Sequence, residues 1–203
     1  KKTSYLDLVS EVDKKSEEFL VEGLKKIFPE AGFITEEDTA GLQGEQYSWI
    51  IDPLDGTTNF IHGLAPFSIS IGLYHESKPL AGVVYEICAN ECFYAWEGSK
   101  AYMNGKEIST SSTEQLKDSL IITGFPYTHF DELSKIMSSV EYFLKNSHGL
   151  RRLGSAAADL AYVASGRSDG FYELGLNPWD VAAGVFILQQ AGGVISDFDG
   201  GPD

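Results

Sequence analysis

Apolar and polar residues recur with different spacings along the chain, and the spacing predicts different elements in its two halves. Residues 8–28 place apolar side chains near helical spacing, and Pro29 favours the end of that helix. Residues 67–96 contain three runs rich in aromatic and β-branched side chains, separated by short turns, which is typical of an antiparallel meander. The Asn-Gly pair at 104–105 predicts a hairpin turn. Up to residue 115 the pattern therefore predicts an α+β arrangement with an antiparallel sheet.

Beyond residue 115, short apolar runs alternate with longer helical patterns, which indicates mixed α/β layering. The predicted elements are a strand at 119–125, a helix at 129–146, a strand at 148–154, a helix at 154–166, a strand at 169–174, a helix at 177–193 and a strand at 192–198. The sequence has no internal repeat and no long linker. We therefore expect two parts, 1–115 and 116–203, that share an interface.

Two predicted strands end in acidic residues. The stretch GFITEED, residues 32–38, indicates a strand that ends in Glu36 and Glu37. The stretch SWIID, residues 48–52, indicates a second strand, which Pro53 should close because proline cannot donate to a ladder.

Composition and charge narrow the possible partners. The 30 acidic residues outnumber the 15 basic ones and give a net charge of −15, which argues against nucleic acid and anionic membranes. No apolar run reaches the roughly 18 residues of a membrane span, and the first residues lack an apolar signal-peptide core. We expect a soluble, cytoplasmic protein, although the start at Lys1 rather than Met leaves a removed leader open. Cys88 and Cys92 lack zinc-site spacing, so we expect two buried thiols in a reducing compartment.

The excess of acidic residues can serve solubility alone, but four of them lie at the ends of predicted elements, where they could bind a cation together. Glu36, Asp52 and Asp55 follow predicted strands, and Asp180 lies in the first turn of a helix that Pro178 can begin. No histidine is near these acids in the sequence. A ligand set made only of oxygen atoms favours hard cations, Mg²⁺ above all.

The stretch Asp-Pro-Leu-Asp-Gly at 52–56 favours the same chemistry. In a tight turn, residues three apart can direct their side chains at one point, and Gly56 permits the backbone to enter a helix, with Thr57 and Thr58 as capping candidates. The free N–H groups at such a helix start can bind phosphate. Acids that bind metal beside an anion site are the layout of a phosphate-ester hydrolase. An ordinary Asx turn followed by a helix cap is the alternative interpretation of the string.

The full string WIIDPLDGTTNF, residues 49–60, resembles the signature of the inositol monophosphatase family of Mg²⁺-dependent, lithium-sensitive phosphatases. Four further blocks resemble the family and occur in its order, at 7–17, 33–38, 148–173 and 176–202. The segments that the family carries before the first block and after the last one are absent from this sequence. The resemblance implies an αβαβα sandwich of the sugar-phosphatase type.

The resemblance also implies a role for each matching residue. The expected metal ligands are Glu36, Asp52, the Leu54 carbonyl, Asp55 and Asp180. The expected catalytic residues are Asp13 and Thr57, which would orient the attacking water, together with Glu36. The expected substrate contacts are Asp55, Gly56, Thr57, Gly154, Ser155, Ala156, Glu173 and Asp180.

The reaction that the resemblance implies is hydrolysis of inositol 1-phosphate, or another small polyol phosphate, by a water that two or three Mg²⁺ ions activate. Inhibition by Ca²⁺ or Li⁺ and a homodimer are implied as well. The alternatives within the superfamily are fructose-1,6-bisphosphatase, 3′-phosphoadenosine phosphatase and histidinol phosphatase. Thr58-Asn59-Phe60 favours the inositol monophosphatases, whereas Lys-Glu-Phe would have favoured the 3′-phosphoadenosine enzymes.

Two alternatives lie outside the family. A haloacid dehalogenase phosphatase would place its nucleophile in a D-x-D-G string, and Asp197-Phe198-Asp199-Gly200 has that spacing. The string comes at the end of the sequence, so we interpret it as a strand that leads into a turn. The other alternative is an acidic scaffold that binds Mg²⁺ or Ca²⁺ without catalysis.

Overall fold

A sheet of seven strands dominates the first part of the chain in the computed structural model, which describes residues 11–38, 46–126 and 133–201. The elements are α1 (Glu11–Ile27), β1 (Gly32–Thr35), β2 (Tyr47–Asp55), α2 (Thr57–His62), β3 (Ser68–His75), β4 (Lys78–Glu86), β5 (Glu91–Trp96), β6 (Ala101–Met103) and β7 (Lys106–Ile108). The strands lie in sequence order, and every neighbouring pair is antiparallel except β1 and β2, which are parallel. The predicted meander and the hairpin turn at Asn104 and Gly105, both with positive φ, are confirmed.

The second part alternates strands and helices, as the sequence predicts. Its elements are β8 (Leu120–Thr123), α3 (Leu133–Asn146), β9 (Gly149–Arg151), α4 (Ala156–Ala164), β10 (Gly170–Tyr172) and α5 (Pro178–Gln190). The three strands form a parallel sheet in the order β10-β8-β9. The division into residues 1–115 and 116–203 stays a prediction.

The helices and sheets stack in five layers. Helix α1 packs on one face of the seven-stranded sheet, over Phe33 and Ile51. Helices α4 and α5 pack on the other face, in a core cluster whose margin includes Phe171 of β10. The next residue of β10, Tyr172, instead contacts Phe143 of α3, with ring centroids 5.0 Å apart. Because successive side chains of a strand point to opposite faces, α3 lies beyond the small sheet, and the predicted αβαβα layering is confirmed.

Close packing between α5 and the sheet depends on a glycine in β4. A side-chain carbon at Gly82 would lie 2.8 Å from the carbonyl oxygen of Ala183, which is shorter than a van der Waals contact. A larger residue would therefore push the helix away from the sheet. Asp180 lies in the first turn of α5. The packing of α5 on the sheet therefore also fixes the position of the Asp180 carboxylate relative to the ends of the strands.

Strand β2 continues through Pro53 instead of ending there. Asp52 pairs with Ser70 and Asp55 pairs with Ser68, so β2 has one more residue than β3 between these two pairs. Such an insertion is a β-bulge, and a bulge tolerates proline because it leaves ladder positions unpaired. The prediction that Pro53 closes the strand was wrong for this reason.

The predicted strand at 192–198 was also wrong. Val194 is 89% exposed, and no strand in the described ranges pairs with this segment. The N–H of Asp197 donates to the Gly201 carbonyl at 3.1 Å, and the N–H of Gly200 donates to the Asp197 carbonyl at 3.2 Å. The Asp197 carboxylate also accepts from the N–H groups of Asp199 and Gly201. The expected turn at Asp197 is present, but the apolar run before it has no ladder partner.

The surroundings of the cysteines differ from the expectation. Cys88 is exposed in the turn between β4 and β5, and Cys92 is half-buried in β5. The expectation of two buried thiols was wrong because the hairpin carries Cys88 at its tip.

None of the helices in residues 11–38, 46–126 and 133–201 has the length and apolar character that a membrane crossing requires.

Candidate active site

The bulge in β2 directs two carboxylates into different surroundings at one edge of the sheet. Asp52 is 2% exposed, and its Oδ1 accepts from the N–H of Leu54 at 2.9 Å. The Asp55 Oδ2 accepts from the Ser155 hydroxyl at 2.6 Å and from the N–H of Ala157 at 2.7 Å. Asp55 therefore binds the N-terminal end of α4, where the helix dipole favours a negative charge. The Asx-type hydrogen bond is present, but it accounts only for Asp52.

Gly56 turns the chain from β2 into α2. Its φ of 90° is in the left-handed region, and a side-chain carbon would lie 3.1 Å from the carbonyl oxygen of Gly154. Gly56 is the N-cap of α2, and no side chain caps the helix, so the prediction of Thr57 and Thr58 as caps was wrong. The Thr57 hydroxyl instead lies 3.0 Å from Oδ1 of Asp13 and 3.0 Å from the carbonyl oxygen of Leu54.

Helix α1 supplies Asp13 to the same edge. Asp13 is 1% exposed, and the Ser16 hydroxyl of the next turn donates to the Pro53 carbonyl at 3.1 Å. The helix is thus bound directly to the bulge, and Asp13 lies beside Thr57. The role that the resemblance implies for this pair stays a prediction.

Parallel pairing places Glu36 next to Asp52. Thr35 pairs with Ile51, so the next residues of β1 and β2 reach the same point. Carboxylate oxygens of Asp13, Glu36 and Glu37 lie within 4.8 Å of one another and could hold a metal ion. Glu37 joins this group although the predicted ligands do not include it.

Asp180 reaches the strand ends from the start of α5. Pro178 is the first helical residue, as predicted, and the Asp180 Oδ2 accepts from the N–H of Asn177 at 2.6 Å. The hydroxyl of Ser70, the β3 partner of Asp52, donates to the Trp179 carbonyl at 3.2 Å. That bond holds the first turn of α5 against the bulge.

The pKa is raised at all four predicted ligand carboxylates. Loss of hydration is the first cause at each position, and repulsion from neighbouring acids adds to it at Glu36, Asp52 and Asp55. The pKa of Glu36 rises to about 8, and that of Asp55 to about 6. The pKa of Asp52 lies well above its ordinary value, and that of Asp180 is raised. A cluster made only of oxygen donors, with charges that repel, fits a hard divalent cation, which would remove the repulsion and release the protons.

The residues that resemble the family's substrate contacts surround this cluster. Ser155 is the N-cap of α4, and Gly154, with φ 96°, precedes it. The Asn59 amide donates to the carbonyl oxygens of Leu153 and Pro66, at 2.7 and 2.8 Å, and so binds the loop before α4 to α2. Ala156, the first residue of α4, follows this loop directly.

Glu173 follows β10 and lies close to the same acids. Loss of hydration raises its pKa to about 7, with repulsion from Asp55 as the next cause, while Arg152 opposes the rise. All the predicted metal, catalytic and substrate residues therefore meet at one end of the sheet.

The buried polar residues at this end that were not among the predicted site residues include Glu17, Asn59 and Asp159. Glu17 follows Asp13 by four residues on a helix, a spacing that could have indicated a shared face. Asn59 lies within the signature, but its amide has no chemical signal in the sequence. Asp159 is 1% exposed on α4, an Ala-rich helix, and its Oδ1 has no hydrogen-bond partner among the described residues.

We expect Asp159→Asn to change the pH dependence of stability. Burial raises the pKa of Asp159 to about 9, with Asp55 and Glu173 as further causes. A carboxyl whose folded-state pKa is raised stabilises the fold at low pH and loses that contribution as the pH rises through the folded-state pKa. The melting temperature of the metal-free protein should therefore fall from pH 5 to pH 9, and Asp159→Asn should reduce the fall by at least about 3 °C. The exposed substitution Asp118→Asn is the control, and parallel curves for all three proteins would contradict the prediction.

Known proteins resemble the chain along nearly its whole length. The model of the inositol monophosphatase family matches residues 1–203. The inositol-1-monophosphatase of Mesorhizobium japonicum is 42% identical over 199 residues, which are 97% of this chain and 74% of the relative. The Nus factor SuhB of Escherichia coli (strain K12) is 42% identical over 197 residues, 96% of this chain and 73% of the relative.

The fold is shared as well as the sequence. The crystal structure of the extragenic suppressor protein suhB from Bartonella henselae superposes with a TM-score of 0.95 and 40% identity, covering 100% of this chain and 78% of that one. The family match over the whole sequence and the identity of these relatives lead to one conclusion: the chain belongs to the inositol monophosphatase family.

Proposed function

We propose that the chain is a Mg²⁺-dependent phosphomonoesterase that hydrolyses a small polyol phosphate, with inositol 1-phosphate as the expected substrate. The proposal rests on the acidic cluster at the ends of β1 and β2. Carboxylate oxygens of Asp13, Glu36 and Glu37 lie within 4.8 Å of one another there, and Asp52 and Asp55 flank the bulge that leads into the Gly56 turn. Family membership and a relative named inositol-1-monophosphatase support the reaction class and the substrate.

The four carboxylates and the Leu54 carbonyl would hold the Mg²⁺ ions. Mg²⁺ bound there would lower the pKa of a water molecule and offset the negative charge of the ester. The acids would otherwise repel a phosphate, so the cation must bind before the substrate or with it. Glu36 would serve both as a ligand and as a catalytic residue beside the attacking water.

Asp13 and Thr57 would orient the attacking water. Their 3.0 Å hydrogen bond fixes the Thr57 hydroxyl, whose lone pairs can then accept a hydrogen bond from the water. Asp13 accepts the hydrogen bond that the Thr57 hydroxyl donates, so the pair would set the direction of attack. The phosphate would lie against the backbone N–H groups at Gly56 and Thr57, at the start of α2.

The alcohol part of the substrate would contact the loop before α4 and the residue after β10. Gly154, Ser155 and Ala156 lie beside Gly56, and Glu173 lies near Asp55. An acid at this position suits a ligand with several hydroxyl groups, because a carboxylate accepts hydrogen bonds from them.

A non-catalytic role is the second candidate, because the relative named Nus factor SuhB has the same 42% identity as the relative named inositol-1-monophosphatase. The bond between Asp13 and Thr57 favours catalysis, since a site that only binds metal needs neither side chain. The net charge of −15 remains the reason to expect no nucleic-acid partner. The homodimer and the cytoplasmic location stay predictions.

A phosphate-release screen tests the proposal. Inositol 1-phosphate, fructose 1,6-bisphosphate, 3′-phosphoadenosine 5′-phosphate and histidinol phosphate would each be assayed with Mg²⁺, with and without Li⁺ or Ca²⁺. We expect the highest kcat/KM for inositol 1-phosphate and inhibition by both added cations. A higher value for another ester would assign the chain to that alternative substrate, and phosphate release from none would favour the non-catalytic scaffold. The haloacid dehalogenase mechanism would instead require a phosphoaspartate on Asp197, which is exposed in a turn.

A further inference from the structure

Glu17 is a buried carboxylate on α1 that faces the candidate site. It is 0% exposed and lies four residues after Asp13 and four before Val21, so the three form one buried stripe of the helix. An apolar residue would suit such a position better unless the carboxylate has hydrogen-bond partners, because burial of an unpartnered charge is costly.

Both oxygens of Glu17 are bound to the end of β1. Its Oε1 accepts from the Thr35 hydroxyl at 2.9 Å, and its Oε2 accepts from the N–H of Glu37 at 2.9 Å. These two donors flank Glu36 in the sequence. One side chain therefore holds the chain immediately before and immediately after a predicted metal ligand.

Glu36 needs such support because its neighbours repel it. Carboxylate oxygens of Asp13 and Glu37 lie within 4.8 Å of one of its own oxygens, and like charges this close repel one another. As a whole residue Glu36 is exposed, although its carboxyl group lies among other acids, so packing around the rest of its side chain is incomplete. Without a tether, the end of β1 could move outward and carry the Glu36 carboxylate away from Asp52.

We propose that Glu17 is a positioning residue, which acts through the backbone at 35–37 to hold Glu36 in the geometry that binds the cation. The inference rests on the proposed function, since it gives Glu17 a role toward the proposed Mg²⁺ site. Residues that hold metal ligands commonly affect metal affinity by about 10- to 100-fold.

The test is a calorimetric Mg²⁺ titration of purified variants, together with hydrogen exchange at the Glu37 amide. Glu17→Met removes both acceptors and should weaken Mg²⁺ binding at least about tenfold. Glu17→Gln retains one acceptor for the Glu37 N–H and an NH₂ group for the Thr35 hydroxyl, so its affinity should stay within about threefold of the unchanged protein. The Glu37 amide should exchange faster in Glu17→Met than in Glu17→Gln. Glu18→Gln, on the exposed side of α1, is the control and should change neither measurement.

Two further readouts separate positioning from stability alone. Thr35→Val removes one of the two hydrogen bonds while preserving a buried side chain, and it should weaken Mg²⁺ binding about threefold, the loss expected for one modest hydrogen bond. The Mg²⁺ affinity of Thr35→Val therefore tests the role of Glu17 even if Glu17→Met does not fold. Unchanged Mg²⁺ affinity in a folded Glu17→Met or in Thr35→Val would overturn the role of Glu17 while leaving the proposed function intact. Absence of Mg²⁺ binding in the unchanged protein would overturn both.

Discussion

Asp52→Asn should lower kcat for phosphate release from inositol 1-phosphate by at least about a thousandfold, because it removes the carboxylate at the centre of the proposed cation site. The substitution is nearly isosteric, and the amide oxygen can still accept from the N–H of Leu54, so the bulge should persist. Burial and neighbouring acids hold the pKa of Asp52 well above its ordinary value. Removing this charge should therefore leave the stability of the metal-free protein unchanged or increase it.

A lower kcat together with unchanged or increased stability distinguishes the loss of a ligand from unfolding of the protein. The measurements are phosphate release at saturating Mg²⁺ and the melting temperature in chelator. Asp197→Asn is the matched control, because it replaces an acid in the exposed turn near the end of the sequence and should keep activity. Activity of Asp52→Asn within tenfold of the unchanged protein would show that Asp52 is not a ligand on which the reaction depends.

Thr57→Ala should lower kcat by about a hundredfold or more, the scale of effect for a group that positions a proton in the reaction. The substitution removes the hydroxyl that lies 3.0 Å from Asp13 but leaves the four ligand carboxylates unchanged. Mg²⁺ affinity, measured by calorimetry, should therefore change by less than about threefold, because the loss of one modest hydrogen bond is all that separates the two proteins.

Thr58→Ala is the control for Thr57→Ala, since Thr58 is the next residue of the same helix. It should retain both turnover and Mg²⁺ affinity. Turnover that survives in Thr57→Ala would contradict the water-orienting role. A joint loss of turnover and Mg²⁺ affinity would instead make Thr57 part of the cation site.

The candidate site could be predicted from the sequence where its residues lie at the ends of local elements. Glu36, Asp52 and Asp55 follow strongly apolar runs, and Pro178 marks the helix that carries Asp180. These signals depend only on a few neighbouring residues in the sequence, so they can be recognised without knowledge of the fold.

The details that depend on distant pairing could not be predicted. The bulge at Pro53 exists because Ser68 and Ser70 of β3 pair on both sides of it, and the binding of Asp55 to α4 joins residues about a hundred positions apart. Glu17 lies on a helix rich in glutamate and lysine, so the sequence alone predicts that it is exposed to solvent. Only the structure shows that the end of β1 covers Glu17. The prediction for residues 192–198 was wrong for the opposite reason. The apolar run suggests a strand, but no strand in the described part of the chain pairs with it.

Phosphate release from inositol 1-phosphate by the chelator-treated protein, before and after addition of Mg²⁺, tests the central claim most directly. We expect release to fall to the background of the uncatalysed ester in chelator and to return fully with Mg²⁺, because the four carboxylates cannot accept a phosphate without the cation. Substantial hydrolysis that persists in chelator, or none after Mg²⁺ is restored, would contradict it.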